Sequence, residues 1–203
     1  MPIHPPLEEP RVLSGKRREF AAEVSDAELA RRAQEGDQWA TNALFRRYVV
    51  PVRRFALHLM ANREDADDVV QEAFAHALQN LAKLRDPEAF RPWLYQIVFI
   101  RSRRAFRKRK VARAFALDRR VDDATLAQLA SPGTSPEALA ELRLIDDALR
   151  RLPLEERSAW VLRRVEGEKL EEVGKLLGCS LATAKRRIAA ADTHVRAFAR
   201  SAS

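Results

Sequence analysis

Apolar side chains recur at intervals of three and four along most of this 203-residue chain, and that period restricts what it can fold into more than any other feature. Leu44, Tyr48, Val52, Phe55 and Leu59 stand four, four, three and four apart, which lays them along one stripe of a helix. Val69, Val70, Ala73, Phe74, Ala77 and Leu81 make a second stripe, and Phe90, Trp93, Leu94, Ile97 and Ile100 a third. Leu139, Leu142, Ile145, Leu149 and Leu152 repeat the pattern later in the chain. With only six Gly and 7% aromatic residues among many Ala, Leu, Arg and Glu, composition also favours helices over the Val/Thr/Tyr-rich strands of a sandwich. The fold class expected is all-α. Hydrophobic residues at 46% suffice for packed cores, and 33% charge is too much for a membrane protein, so collagen-like, disordered and transmembrane classes are set aside.

The punctuation divides the chain into two helical domains joined by a flexible linker. Residues 1–24 carry four prolines and balanced charge without a helical period, and read as a mobile extension. Ser25-Asp26-Ala27-Glu28 sets a capping residue three positions before a glutamate, so a helix starts there. Pro51 should kink the second helix. Asn62-Arg63-Glu64-Asp65 opens a third with its acids at the favourable end of the dipole. A fourth follows the break at Leu84-Arg85-Asp86-Pro87, which gives a first domain over 25–110. Residues 111–137, closing in Ser131-Pro132-Gly133-Thr134-Ser135-Pro136, read as the linker. A smaller helical domain occupies 138–203, with Pro153 placed to begin one of its helices.

Charge narrows the function. The net charge is +8, and residues 25–110 hold 17 basic against 11 acidic residues, so most of the excess sits in the first domain. Seven of the ten residues Arg101 to Lys110 are basic and none is acidic, a density suited to phosphates; the bland alternative is a solvated charge run. Cys179 stands alone and cannot staple the chain, and the N-terminus lacks a secretory apolar run, so a cytoplasmic location without membrane insertion is expected. His4, His58, His76 and His194 lie apart without metal-ligand spacing; no catalytic residue, metal or cofactor is expected, and a nuclease reading ranks last.

The segment LEEVGKLLGCSLATAKRRIA has the plan of a helix-turn-helix: Leu170, Val173 and Leu177 on a short helix, a break at Gly178-Cys179-Ser180, then a second helix. Gly174 lets two helices cross closely, Gly178 takes the left-handed turn, Ser180 caps, and Leu181, Ala184 and Ile188 face inward. Thr183, Lys185, Arg186 and Arg187 then point outward toward a groove or phosphates. An ordinary helical hairpin with a basic face is the competing account.

LPLEERSAWVLRRVEG ahead of that helix-turn-helix resembles the C-terminal domain of bacterial sigma factors. DADDVVQEAF and FRPWLYQIV resemble their core-binding and promoter-melting regions, in the same order, and the likeness is to the compact extracytoplasmic-function group. The resemblance implies core RNA polymerase as partner, through its β′ clamp helices and β subunit, together with promoter DNA and an anti-sigma factor. It implies that Asp65, Asp68, Gln71 and Glu72 dock on the clamp helices; helix capping and solubility account for the first-turn acids as well, though not for Gln71-Glu72. It further implies that the loop Leu84 to Arg91 and the following helix engage the upstream melting element, with Arg85, Arg91, Trp93, Arg101, Arg103, Arg104, Arg107, Lys108 and Arg109 as its DNA-facing residues. Trp93 suits base stacking and core packing equally.

The chain departs from the family pattern in two places. Ile100 and Arg103 stand where the family usually carries Asn and Asp, and the recognition helix begins Thr183-Ala184-Lys185-Arg186 and continues through Ala190-Ala191, so base specificity does not carry across. A stand-alone helix-turn-helix regulator with a partner-binding N-terminal domain is the alternative; it requires no polymerase contact from the acidic face.

Overall fold

A computed structural model describes residues 24–60, 62–114 and 135–202. The N-terminal extension to residue 23, linker residues 115–134 and the side chain of Arg109 lie outside the described residues. Every regular element among the described residues is helical. The first unit holds α1 (Asp26–Gln34), α2 (Gln38–Leu59), α3 (Arg63–Asn80), two 3₁₀ turns (Leu81–Lys83 and Pro87–Ala89) and α4 (Phe90–Ala114). The second holds α5 (Pro136–Arg150), α6 (Leu154–Trp160), a π-helical turn (Val161–Val165), α7 (Leu170–Leu177) and α8 (Leu181–Ala202).

Local chemistry sets the helix starts. Ser25 Oγ accepts from the Glu28 amide at 3.2 Å, as the Ser-x-x-Glu pattern requires. Asp37 accepts from the Trp39 and Ala40 amides at 2.8 and 3.2 Å; its hydrogen bond from Arg32, ahead of those amides, keeps its carboxyl below the usual range. Asn62 Oδ1 caps α3 through the Asp65 amide at 2.8 Å. Pro51 removes a backbone donor yet does not end α2, which continues to Leu59. Ser135 and Pro136 behave differently from the sequence expectation: Ser135 Oγ accepts from the Ala138 amide at 3.3 Å and Pro136 takes the first helical position, so this pair opens α5. Proline in the first turn costs nothing, because its missing N–H would have no helical partner there.

The first unit buries Leu29, Tyr48, Val52, Phe55, Leu59, Val69, Phe74, Leu94 and Val98, each large side chain worth about 1.5–3 kcal/mol of transfer free energy. Val70 and Phe74 are core, as expected. Ile100 is not: it is 62% exposed, because at 3.6 residues per turn it lies about 60° further round α4 than Ile97, off the stripe centred on Leu94 and Val98. Leu142 is 40% exposed at the rim of a cleft shared with His58 and Trp160.

The helix-turn-helix is formed by α7 and α8. Gly178 closes α7 at φ +60°, and the Cys179 amide reaches back to the Gly174 carbonyl at 2.9 Å. Gly174 is small for a reason different from the one expected: a Cβ there would come within 3.0 Å of the Cys179 carbonyl, so the constraint comes from the turn itself. Leu181 is 48% exposed in the first turn of α8; Ala184, Ile188 and Ala191 form the inward stripe.

The two units share one continuous core. Arg157 on α6 is buried and donates to the Leu149 carbonyl at 2.7 Å and, across the seam, to the Leu59 carbonyl at 2.9 Å. Burial pushes its guanidinium down to about 10.

Candidate nucleic-acid interface

Three surfaces carry the chemistry. The first is α8, whose first turn is fixed by Ser180: its Oγ accepts from the Thr183 amide at 3.2 Å and lies 2.9 Å from the Thr183 hydroxyl. Lys185 and Arg186 are exposed and form no ion pair with a described residue, so both cations face solvent beyond the inward stripe. Arg187, expected outward, is half-buried with Nη1 lacking a partner among the described residues. The helix is held from behind by Asp192, which accepts from Trp160 Nε1 at 3.0 Å and pairs with Arg164 at 2.6 Å. Burial raises the Asp192 carboxyl, but Arg164 and Trp160 outweigh it and the net shift is downward.

The second surface is a groove of about 700 Å³ between α3 and α4. Asp65, Asp68 and Glu72 line one wall and Arg101, Arg104 and Lys108 the other. Glu72 and Gln71 are exposed, Asp65 is half-buried, and Glu72 lies 3.6 Å from Arg101. The acidic patch and the basic run, far apart in sequence, thus face each other. On the other flank of α3, Asp67 is taken up by Arg53 at 2.6 Å and Arg63 at 3.3 Å, and the Arg53 hydrogen bond holds its carboxyl below the usual range.

The third surface is the flank of α4 that meets the second unit. Arg91 pairs with Glu168, lies 3.9 Å from Glu172 and sits over the Tyr95 ring at 5.4 Å. Arg103 pairs with Glu155 at 3.2 Å. On α2, Arg54 Nε donates to Glu166 at 2.8 Å, and the Glu166 side chain keeps only 6% exposure. Gln96 donates to the Lys175 carbonyl at 2.8 Å. The count of seven cations without a neutralising acid therefore holds only along the chain: α3 and α6 supply Glu72 and Glu155 through tertiary contact. Arg85, Arg104, Arg107 and Lys108 are exposed and unpaired with described residues. Trp93 is half-buried, its ring 6.1 Å from Phe90 and packed on the core, so much of its face is already used.

Arg54, Arg157, Glu166 and Glu168 were not singled out by sequence. No local motif marks a residue whose partner lies across a seam. Glu166 and Glu168, flanking a Gly167 at φ +74°, were the available hint, since that turn projects both carboxylates from one short segment.

Comparison with known proteins gives this arrangement a family. Residues 44–112 match the Sigma-70 region 2 model, and residues 142–191 match Sigma-70, region 4. RNA polymerase sigma factor NccH of Alcaligenes xylosoxydans xylosoxydans is 31% identical over 177 residues, covering 87% of this chain and 95% of that protein. ECF RNA polymerase sigma factor SigM of Mycobacterium tuberculosis is 33% identical, covering 83% and 82%. The chain belongs to the extracytoplasmic-function sigma factors. This sigma factor also superposes on the solved structure of CnrH in complex with the cytosolic domain of CnrY, at TM-score 0.65 and 27% identity over 88% of this chain and 99% of that one. The fold alone is shared with RpoE in complex with the anti-sigma factor NepR from Bartonella quintana, at TM-score 0.59 and 19% identity over 78% and 96%. Region 2 thus covers the acid-and-cation groove, and region 4 covers the helix-turn-helix. Among the described residues no helix is long and apolar enough to cross a membrane, and no cluster of His, Cys, Asp or Glu could hold a metal ion.

Proposed function

We propose that this sigma factor is a transcription initiation subunit that binds core RNA polymerase, directs promoter recognition and opening, and acts in the cytoplasm without catalysing a reaction of its own. The single observation that carries the reading is the joint presence of the α3–α4 groove and the solvent-facing Lys185 and Arg186 in a chain of this family.

Asp65, Asp68, Gln71 and Glu72 present a polar face to the clamp helices of β′. Asn62 caps α3 with its own side chain, which supports a role for these residues beyond capping. Arg104, Arg107 and Lys108, with Arg101 beside Glu72, grip phosphates next to the opened strand, and Arg85 and Arg91 lie at the loop that leads into α4. Thr183, Lys185 and Arg186 read the upstream promoter element, with Ser180 fixing the helix start; half-buried Arg187 supports the helix more than it reads DNA. The two domains are assigned to 25–114 and 135–203, since α4 continues to Ala114 and Pro136 opens α5, with the linker between them. CnrH is seen in complex with the cytosolic domain of CnrY, which supports a protein partner for this chain also, read here as an anti-sigma factor.

The test is co-migration with core polymerase. Asp65→Lys with Asp68→Lys is expected to weaken core binding while leaving free-chain helicity unchanged. Unaltered core affinity in that double variant returns the acidic face to capping and solubility, and absence of core binding by the unaltered chain favours a stand-alone regulator.

A further inference from the structure

Gln34, the last residue of α1, reaches across to the segment that joins α3 to α4. Its Nε2 donates to the Leu81 carbonyl at 3.0 Å and to the Leu84 carbonyl at 2.7 Å, across 47 and 50 positions of chain. Both partners are acceptors, so only the NH2 end of the side chain can face them, and its pair of N–H groups matches the pair of carbonyls. The Leu81 carbonyl also accepts from the Leu84 amide at 3.0 Å, which closes the first 3₁₀ turn. The Leu84 carbonyl lies beyond that turn and shares one rigid peptide plane with the amide of Arg85, so holding the carbonyl fixes the plane from which Arg85 departs. We propose that Gln34 is a positioning residue for promoter opening: it sets the shape of the loop 84–86 before DNA arrives and holds Arg85 out to the opened strand.

This rests on the reading above that Arg85 belongs to the DNA-facing edge. Only Leu84, Arg85 and Asp86 separate the two 3₁₀ turns, and both ends of that short loop are tied. Leu84 is buried in the core. Asp86 Oδ1 accepts from the Glu88 amide at 3.0 Å, and the Asp86 carbonyl from the Ala89 amide at 3.0 Å. Arg85, between them, is exposed. The donor is held firmly from its own side as well. Just past Gln34 the chain turns at Gly36, φ +93°, where the Asp37 amide reaches the Arg32 carbonyl at 2.9 Å and Arg32 Nε donates to Asp37 Oδ2 at 2.9 Å. The body of α1 packs against both 3₁₀ turns. A loop already in its bound shape loses less conformational freedom on binding than one that DNA must order. None of the residues assigned above to polymerase or DNA lies on α1, so an effect of Gln34 on the opened strand has to pass through this loop.

The experiment uses core polymerase loaded with the full chain. A non-template-strand oligonucleotide is first selected by the unaltered complex from a pool randomised across the melting element. Its affinity is then measured by fluorescence anisotropy for the unaltered chain, Gln34→Met, Arg85→Ala and the double variant, with core affinity read alongside. Gln34→Met keeps the length of the side chain and removes its donors. It is expected to weaken strand binding about fivefold and to leave core affinity unchanged. Once Arg85→Ala is in place, adding Gln34→Met should cost almost nothing further, because the two residues act through one loop. Unaltered strand affinity in Gln34→Met, beside a loss in Arg85→Ala, overturns the proposal and leaves the reading of the loop standing. Losses that multiply in the double variant, or a loss of strand affinity matched by an equal loss of core affinity, place the effect of Gln34 in the fold at large and overturn it too. If Arg85→Ala binds the strand as the unaltered chain does, Arg85 is not a DNA contact, which overturns that part of the proposed function and the positioning role with it.

Discussion

Arginines at the seam and arginines on the outer faces differ in how their charge is used. Arg54, Arg91, Arg103 and Arg157 each meet a carboxylate or a backbone carbonyl of the opposite unit. Arg104, Arg107 and Lys108 on α4, and Lys185 and Arg186 on α8, are paired with no described residue. The same side-chain types therefore serve cohesion in one place and remain available to a polyanion in another. Net charge and charge runs show how many cations a chain holds; only tertiary contact shows which ones are already spent. Substitutions at Arg54 and Arg157 of the seam should move stability and spare DNA affinity of the assembled complex, and substitutions on the outer faces should do the reverse.

The largest expected effect is at Arg157. Arg157→Met removes the donor that crosses the seam to the Leu59 carbonyl, while the Leu149 carbonyl keeps its bond from the Leu152 amide at 3.1 Å, for a loss of about 1–3 kcal/mol in denaturant unfolding. Arg157→Lys should recover part of it, since an ammonium reaches fewer acceptors than the planar fork. Unchanged unfolding midpoints in Arg157→Met would mean that water replaces the guanidinium and that the seam is wetter than its geometry indicates. Lys185→Ala and Arg186→Ala test the opposite side of the comparison. Each should weaken promoter binding by about 1–3 kcal/mol where it reads a base and by less where it touches phosphate, with unfolding unaffected. Equal footprints for both variants and the unaltered chain would reduce α8 to the second arm of a basic hairpin.

What sequence made legible follows from how local each feature is. Helix starts at Ser25 and Asn62, the left-handed Gly178 and the stripe of Ala184 and Ile188 all depend on neighbours within one or two turns, and all are found as expected. Ile100, Leu142 and Leu181 fit the inward stripes by spacing yet are exposed, because spacing marks a helix face without giving its width or showing where a helix end leaves the core. Ser135-Pro136 reads as linker in the sequence because proline breaks helices in the interior and starts them at the first turn, and only the succeeding contacts decide which. The groove between α3 and α4 was legible as two separate motifs; their facing each other was not, since the run and the acids stand some thirty residues apart. The seam was least legible of all, because Arg54 and Glu166 find one another across 112 positions.

Salt dependence sharpens the contrast further. Arg107 and Lys108 are exposed and carry no described ion pair, so replacing both with Gln should lower the log affinity against log salt slope of the polymerase complex by about 0.9 per duplex phosphate contact or about 0.7 on single strand. Promoter preference should persist. Arg54→Gln, which removes a cation already matched with Glu166, should leave the slope where it is. A slope that responds to Arg54 and ignores Arg107 and Lys108 would invert the assignment of spent and available cations.

The smallest effect expected is a pH dependence confined to the seam. His58 on α2 lines a cleft of about 290 Å³ with Arg54, Ile145, Asp146, Leu149 and Trp160. Burial pushes its imidazole below the ordinary 6.5; Glu166 and Asp146 pull it upward, and Arg54 and Arg150 push it down. The folded chain thus resists protonation more than the unfolded chain, which takes up its proton near the ordinary value. Stability contributed by neutral His58 is complete above that value, is lost as pH falls through it, and levels off once the folded form is protonated as well. Thermal unfolding between about pH 7.5 and about pH 5.5 should therefore show a shallow decline, and His58→Gln should flatten it relative to the unaltered chain. Carboxylates that titrate at lower pH contribute to both chains and cancel in the difference. Lys185→Ala, on the outer face, should keep the full decline; an identical decline in His58→Gln would show that the proton is taken up elsewhere and that the seam is not the pH-sensitive part of the molecule.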